Sequence, residues 1–327
     1  MSKRLLGSIL DYLPDKFQTG ENHFKKDNEC LMTKTNPFHG IICPILTPFD
    51  ANGEIDYKSL EKLIEFLISE SIPCLMVGGT TGEGPLLSVE ERKKIAEAVL
   101  SYANKRVRVI VHVSCLSTKE SIELTKHAQS IGVDGISAIT PFFFSYSDEE
   151  VFRFYEAISK TAPEIPISLY CFPGNAKFEI KGPLLIRILQ NLSNVKAIKS
   201  SNTDLIRLQE YISVGNNDFS VLCGVDALAL PALTLGACGQ VSGNSNIFPQ
   251  PFIKLYQSYK KGDLESAAKC QSIINRIRTV LKDSIAYFKA ASEINGLPVG
   301  IPRLPIQPLG ESEINSLKSE ISKLKFS

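Results

Sequence analysis

The chain has 327 residues, 43% of them hydrophobic and 22% charged, which excludes a disordered or fibrous protein and suits one large domain or two smaller ones. Lys and Arg total 36 against 35 for Asp and Glu, so the net charge of +1 gives no whole-chain field to recruit nucleic acid or anionic lipid. No run of about 18 apolar residues occurs, and no membrane partner is expected. Residues 1–36 are polar, rich in Lys, Asn and Asp from Lys16 to Asn36, and read as an appended, partly ordered extension. Their first stretch, Met1 to Leu13, carries Asp11 and no continuous apolar core, which argues against a secretory signal and for a cytoplasmic protein.

From Gly40 the pattern changes and holds. Short apolar runs predict strands at Ile41–Leu46, Cys74–Val77, Val107–Val113, Gly135–Ile139, Ile167–Tyr170, Val195–Lys199, Ser220–Cys223 and Gly239–Ser242. Amphipathic segments lie between them: Tyr57–Ser71, Ser88–Ala103, Thr118–Ile131, Asp148–Thr161, Pro183–Leu192, Thr203–Val214 and Asp226–Leu235. In the first, Leu60, Leu63, Ile64, Leu67 and Ile68 follow the spacing of one buried helix face. Eight strands alternating with helices predict an α/β fold, a (β/α)8 TIM barrel over 37–250, with a helical region over 251–327 packed beside it. A doubly wound open sheet would usually carry a Gly-rich turn after its first strand, and Leu46-Thr47-Pro48-Phe49-Asp50 is not one. The eight cysteines are scattered with no C-x-x-C pair, which reads as small buried residues in a reducing compartment rather than a zinc or disulfide framework.

A barrel of this kind keeps its site at the carboxyl ends of the strands. The sixth strand reads Val195-Lys196-Ala197-Ile198-Lys199, and alternation puts Val195, Ala197 and Lys199 on one face. If that face is the interior, Lys199 ends an apolar strand at the pocket mouth, where desolvation favours the free amine that attacks a carbonyl; otherwise it is a solvent-facing lysine. The fifth strand ends in Tyr170, on the face of Ser168, where a phenol could carry a proton or merely pack. After the second strand, Gly78-Gly79-Thr80-Thr81-Gly82-Glu83-Gly84 lets backbone N–H groups and Thr hydroxyls converge on an anion. It lacks the lysine and spacing of a Walker loop, and Glu83 reads as structural, holding the loop or capping the next helix. His112 and His127 read as core or surface residues, and Lys254, Lys260 and Lys261 as a solvated helix face.

Taken together, Gly79-Thr80-Thr81-Gly82-Glu83, Leu169-Tyr170 followed by Pro173, Ile198-Lys199-Ser200-Ser201, Gly224-Val225-Asp226, Gly236-Ala237 and Asn246 before Pro249 resemble the dihydrodipicolinate synthase / N-acetylneuraminate lyase family of class I aldolases. The resemblance runs from about residue 39 to 309 and takes in Pro302-Arg303-Leu304-Pro305. It implies that Lys199 forms an imine with pyruvate or another 2-oxo acid, that Tyr170 shuttles the proton, and that Thr81 links Tyr170 to solvent or a neighbouring subunit. It also implies that Gly79, Thr80, Thr81 and nearby N–H groups hold the pyruvyl carboxylate, and that the chain is a homotetramer built as a dimer of dimers. No cofactor or metal is implied, because a protonated imine is itself the electron sink for breaking a C3–C4 bond.

Within the family, the synthases are expected to carry an Arg five residues after the catalytic Tyr, where this chain has Asn175, with Lys177 nearby. The tyrosine donated across a subunit boundary falls at Phe143. Thr140 to Phe144, the Gly79 loop and Gly300 to Pro305 are more similar to sialic acid lyases, whose sugar recognition would use Ser201, Gly224, Asp226, Ser242 and Gly243. Those lyases are expected to have Glu after the Asp, and this chain has Ala227; their Gly-Ser-Thr is Ser242-Gly243-Asn244 here. The readings are therefore an N-acetylneuraminate lyase-like enzyme first, then an aldolase for a shorter 2-keto-3-deoxy sugar acid, then a dihydrodipicolinate synthase. A fourth, of another class, is a barrel that binds a 2-oxo acid without catalysis.

Overall fold

Eight of the apolar runs form parallel strands: β1 (Gly40–Pro44), β2 (Cys74–Val77), β3 (Arg108–His112), β4 (Gly135–Ile139), β5 (Ile167–Cys171), β6 (Val195–Ser200), β7 (Ser220–Cys223) and β8 (Gly239–Val241). Each pairs with the next, and β8 returns to β1 in register Gly40–Gly239 and Ile42–Val241, so the sheet closes as the (β/α)8 barrel expected. The structure is a computed structural model that describes residues 36–216 and 218–324. The extension expected over residues 1–36 lies, apart from Asn36, outside them. Asn36 itself belongs to the barrel: its amide donates to Ser220 Oγ and Asp218 O, both at 3.1 Å, and its Oδ1 accepts from Phe38 N.

Both faces of the strands are buried, which explains why they read as near-continuous apolar runs rather than alternating ones. Ile42, Met76, Ile110, Ala197, Leu222 and Val241 point inward and pack above Phe38 in an inner cluster. Their neighbours in sequence, among them Ile41, Leu75, Val109, Ile198 and Val221, face the helices.

The helices are α1 (Tyr57–Ser69), α2 (Val89–Ala103), α3 (Thr118–Ile131), α4 (Asp148–Thr161), the short α5 (Pro173–Ala176), α6 (Gly182–Asn191), α7 (Leu205–Val214), α8 (Ala229–Leu235), α9 (Pro249–Lys260), α10 (Leu264–Leu281), α11 (Ile285–Ile294) and α12 (Glu311–Ser322). α1 starts where Asp56 accepts from Ser59 N, and buries Leu60, Leu63, Ile64 and Leu67. α2 and α4 start in capping boxes, Ser88 with Glu91 and Ser147 with Glu150. The helix expected from Asp226 opens instead as a tight turn over Asp226–Leu228. β1 stops at Pro44 rather than Leu46, because Leu46 N donates to the Asn246 side chain, whose amide donates to Pro44 O. The eighth barrel helix, α9, spans the boundary expected at 250 and packs on β1 and α10.

Candidate active site

The amine, the phenol and the glycine-threonine loop meet at one cavity of about 280 Å³ at the carboxyl ends of the strands. Register puts Tyr170 beside Lys199 and Lys199 beside Leu222, so the interior reading of β6 is the one realised. Lys199 stands on the apolar inner cluster, is 7% exposed, and holds Nζ 4.0 Å from the centroid of the Tyr170 ring. The ring is clamped in turn: Phe172 stacks on it at 5.9 Å and His112 meets it edge-on at 6.3 Å. Burial and the nearby Arg92 and Lys199 hold His112 well below the usual imidazole range, so it is a neutral wall.

Gly79, Thr80 and Thr81 line the same cavity. Their loop is shaped by close backbone approach: a Cβ on Gly84 would lie 2.0 Å from Gly78 O. Glu83, in left-handed backbone at φ 57°, turns its carboxylate into the interior, where Lys289 Nζ lies 2.8 Å from Oε1 and Arg303 N donates to Oε2 at 2.7 Å. Burial pushes the Lys289 amine below its ordinary range, against the pull of the Glu83 carboxylate. Glu83 therefore holds the loop, and the cap of α2 comes from Ser88. Arg303 reaches on to Glu91 and Gly53 O, which is the work of the Pro302–Pro305 segment.

Gly224 and Gly243 line the cavity, and a Cβ on Gly224 would fall 2.3 Å from Ser201 Oγ and 2.9 Å from Lys199 Cε, so this position has room only for hydrogen. Asp226 lines it too, but its carboxylate is largely consumed: Gln240 Nε2 (2.7 Å), Ser242 Oγ (2.6 Å) and Asn244 Nδ2 (2.7 Å) all donate to it. Burial raises its pKa to about 6 in spite of these donors. Ser242 is buried behind the wall, its hydroxyl spent on Asp226, so the cavity reaches Asn244 and not Ser242. Asn175 lines an adjoining cavity of about 660 Å³, which shares Gly79 and Thr80 with the first and takes in Arg92, Cys115 and Phe142. Lys177 lines neither cavity.

The cation at the mouth comes from elsewhere. Arg278 on α10, Asp283 in the turn after it and Phe288 on α11 line the cavity, and none was anticipated from the sequence. Their only advance signal is the spacing of Gln271 and Arg278, two turns apart on one face of α10. Gln271 Nε2 donates to Asp226 O at 2.9 Å.

The family model of the dihydrodipicolinate synthetase family matches residues 37–324. The chain belongs to this family. As a member it is a class I aldolase/lyase, acting on a carbon–carbon bond. Among its relatives, a 4-hydroxy-tetrahydrodipicolinate synthase of Bacillus subtilis is 36% identical over 88% of this chain and 99% of its own. An N-acetylneuraminate lyase of Rattus norvegicus is 33% identical over 88% of this chain and 92% of its own. A solved prophage protein of the family from E. coli K12, in complex with pyruvate, matches with a TM-score of 0.85 and 30% identity over 89% of this chain and 99% of its own. Both branches of the family are thus represented at similar distance.

Proposed function

We propose that the chain is a Schiff-base lyase that releases pyruvate from a hydroxylated 2-oxo acid. The observation that carries this is Lys199, buried on an apolar floor with its amine against the Tyr170 ring at the barrel mouth. In the proposed cycle the Lys199 amine attacks C2 of the 2-oxo acid and water leaves, giving a protonated imine. Tyr170 takes the proton of the C4 hydroxyl, the C3–C4 electron pair moves into the imine, and an aldehyde departs from the enamine. The proton returns from Tyr170 to C3, and water frees pyruvate. In this reading Thr80, Thr81 and Gly79, which line the same cavity, hold the carboxylate, and Thr81 extends the proton path. Transfer in both directions follows from microscopic reversibility.

The sialic acid reading rests on the resemblance of the Thr140–Phe144 and Gly300–Pro305 stretches. A shorter 2-keto-3-deoxy sugar acid is favoured by Ala227, where a sialic acid lyase would carry Glu, and by the engagement of Ser242 with Asp226. Against the synthase reading stand Asn175 outside the cavity and Phe143 in place of a tyrosine. A cytoplasmic homotetramer is the assembly we associate with this activity; among the described residues no helix is long and apolar enough to cross a membrane.

The test is borohydride reduction in the presence of pyruvate, followed by pyruvate release from N-acetylneuraminate and from 2-keto-3-deoxygluconate. A mass increase on Lys199 and release from either acid is expected. No adduct at millimolar pyruvate would leave the non-catalytic barrel as the better reading.

A further inference from the structure

Part of the cavity wall is built by side chains from outside the barrel, Arg278, Asp283 and Phe288. Arg278 donates to Asp283 Oδ2 from Nε at 3.0 Å and from Nη2 at 2.6 Å. Asp283 Oδ1 accepts from Asn244 Nδ2 at 2.8 Å, and the same amide donates to Asp226 at 2.7 Å. A chain of polar groups thus runs Arg278–Asp283–Asn244–Asp226 along one side of the cavity. Asp283 and the preceding Lys282 both sit in left-handed backbone, at φ 49° and 54°, a costly conformation for two consecutive non-glycine residues.

The pair is partly exposed, 30% and 45%, and both residues line the cavity that holds Lys199. Among the described residues Arg278 Nη1 makes no hydrogen bond, and Asn244 Oδ1 is buried without a partner. The wall therefore offers unused donors on the Arg278 guanidinium beside remaining acceptor capacity on Asp283 Oδ1. Hydroxyl groups match this pattern, since each donates once and accepts as well. A carboxylate does not: it has no proton to give to the acceptors, the guanidinium is already neutralised by Asp283, and the Asp226 and Asp283 carboxylates line the same cavity.

We propose that the Arg278–Asp283 pair, set against Asn244, selects the aldehyde half of the substrate, taking a short neutral aldehyde with a hydroxyl on the carbon next to the carbonyl and rejecting one that ends in a carboxylate. This rests on the Schiff-base reading and assigns its specificity to residues of α10 and the turn after it. Arg278 and Asp283 act here as specificity residues and take no part in the imine chemistry.

The experiment runs the condensation of pyruvate with three aldehydes, D-glyceraldehyde, propanal and succinic semialdehyde, on wild type, Arg278→Met and Asp283→Asn. Wild type should prefer glyceraldehyde over both others. Each variant should lose about 10- to 100-fold in kcat/KM for glyceraldehyde and no more than about threefold for propanal, the pattern of a lost polar contact. Asp283→Asn should also improve the use of succinic semialdehyde. Trapping of pyruvate on Lys199 should be equal in all three proteins, which shows that the variants are folded and the imine site intact. Parallel losses for glyceraldehyde and propanal, no loss for either, or a wild-type preference for succinic semialdehyde would overturn the proposal while leaving the Schiff base standing. Absence of the adduct in wild type would remove the Schiff-base reading and this one with it.

Discussion

Lys199 and Tyr170 separate two steps that activity alone would merge. Replacing Lys199 by Met keeps the length of the side chain and removes the amine, so the borohydride adduct should vanish and kcat should fall by about four orders of magnitude or more. Tyr170→Phe keeps the ring that Phe172 and His112 clamp and removes only the hydroxyl. It should still form the adduct while kcat drops by about 10²- to 10⁴-fold, the range of a lost proton carrier. Adduct formation lost in Tyr170→Phe would place the phenol in imine formation rather than in cleavage. Asp226 carries a different prediction, one of stability. Its pKa is raised from 3.8 to about 6 on folding, so the native state holds a proton that the unfolded chain has released between those values. Stability from this group is fully present below about pH 4 and declines as pH rises toward 6, by about 3 kcal/mol, after which it is constant. Other carboxylates titrate in the same window, so the check is the difference between wild type and Asp226→Asn in urea unfolding at pH 4 and pH 7. A difference that is flat, or that grows in favour of wild type with pH, contradicts the shift.

The loop between β2 and α2 is held by an ion pair with the C-terminal helices, and this too can be separated into its parts. Glu83 and Lys289 are both buried, so removing one charge leaves the other with its backbone hydrogen bond, to Arg303 N or Ile301 O, and no opposite charge. Glu83→Gln should destabilise by about 3–5 kcal/mol, whereas Glu83→Gln combined with Lys289→Met should recover most of that loss. Urea midpoints of the two single variants and the double close the cycle, and additive losses would mean that the pair does not act as a pair. At this scale the limits of sequence reading are visible. The strands were legible because eight apolar runs recur between helical periods, and Lys199 stood out because a charged residue ends one of them on the inward face. The helix starts expected at Ser88 and Asp148 hold to within a residue, and at both the structure shows a serine closing a capping box with a glutamate three residues on, Ser88 with Glu91 and Ser147 with Glu150. Arg278, Asp283 and Lys289 were not legible, because each belongs to a helix or turn whose local pattern is ordinary. What gives them their places is the packing of α10 and α11 across the barrel mouth, a contact between segments far apart in the chain. Asp226 was legible as a pocket residue, but its engagement with three internal donors depends on β8 and the turn after it arriving together.

At the scale of the molecule, the apolar surface points to association. Leu116, Phe143 and Phe144 are 52%, 75% and 60% exposed, and the two phenylalanine rings meet edge to face at 5.1 Å. Phe143 also holds a left-handed backbone at φ 79°, which for a bulky side chain costs about 1–2 kcal/mol. A large ring kept in water at that cost makes sense if a second copy of the chain covers it, since burying an aromatic side chain contributes roughly 1.5–3 kcal/mol. The wild-type protein should therefore sediment as a dimer or larger at micromolar concentration. Phe143→Glu should shift it toward monomer, because a carboxylate would have to be desolvated in the contact. Circular dichroism of the variant should be unchanged, as the side chain is exposed within one chain. The resemblance places at this position a tyrosine offered across a subunit boundary, and a phenylalanine can fill such a contact but cannot pass on a proton. Phe143→Tyr should accordingly leave the oligomer intact, so that any change in kcat it causes reports on the added hydroxyl alone. Wild type sedimenting as a monomer would detach Phe143 from any partner and leave its exposure unexplained by assembly.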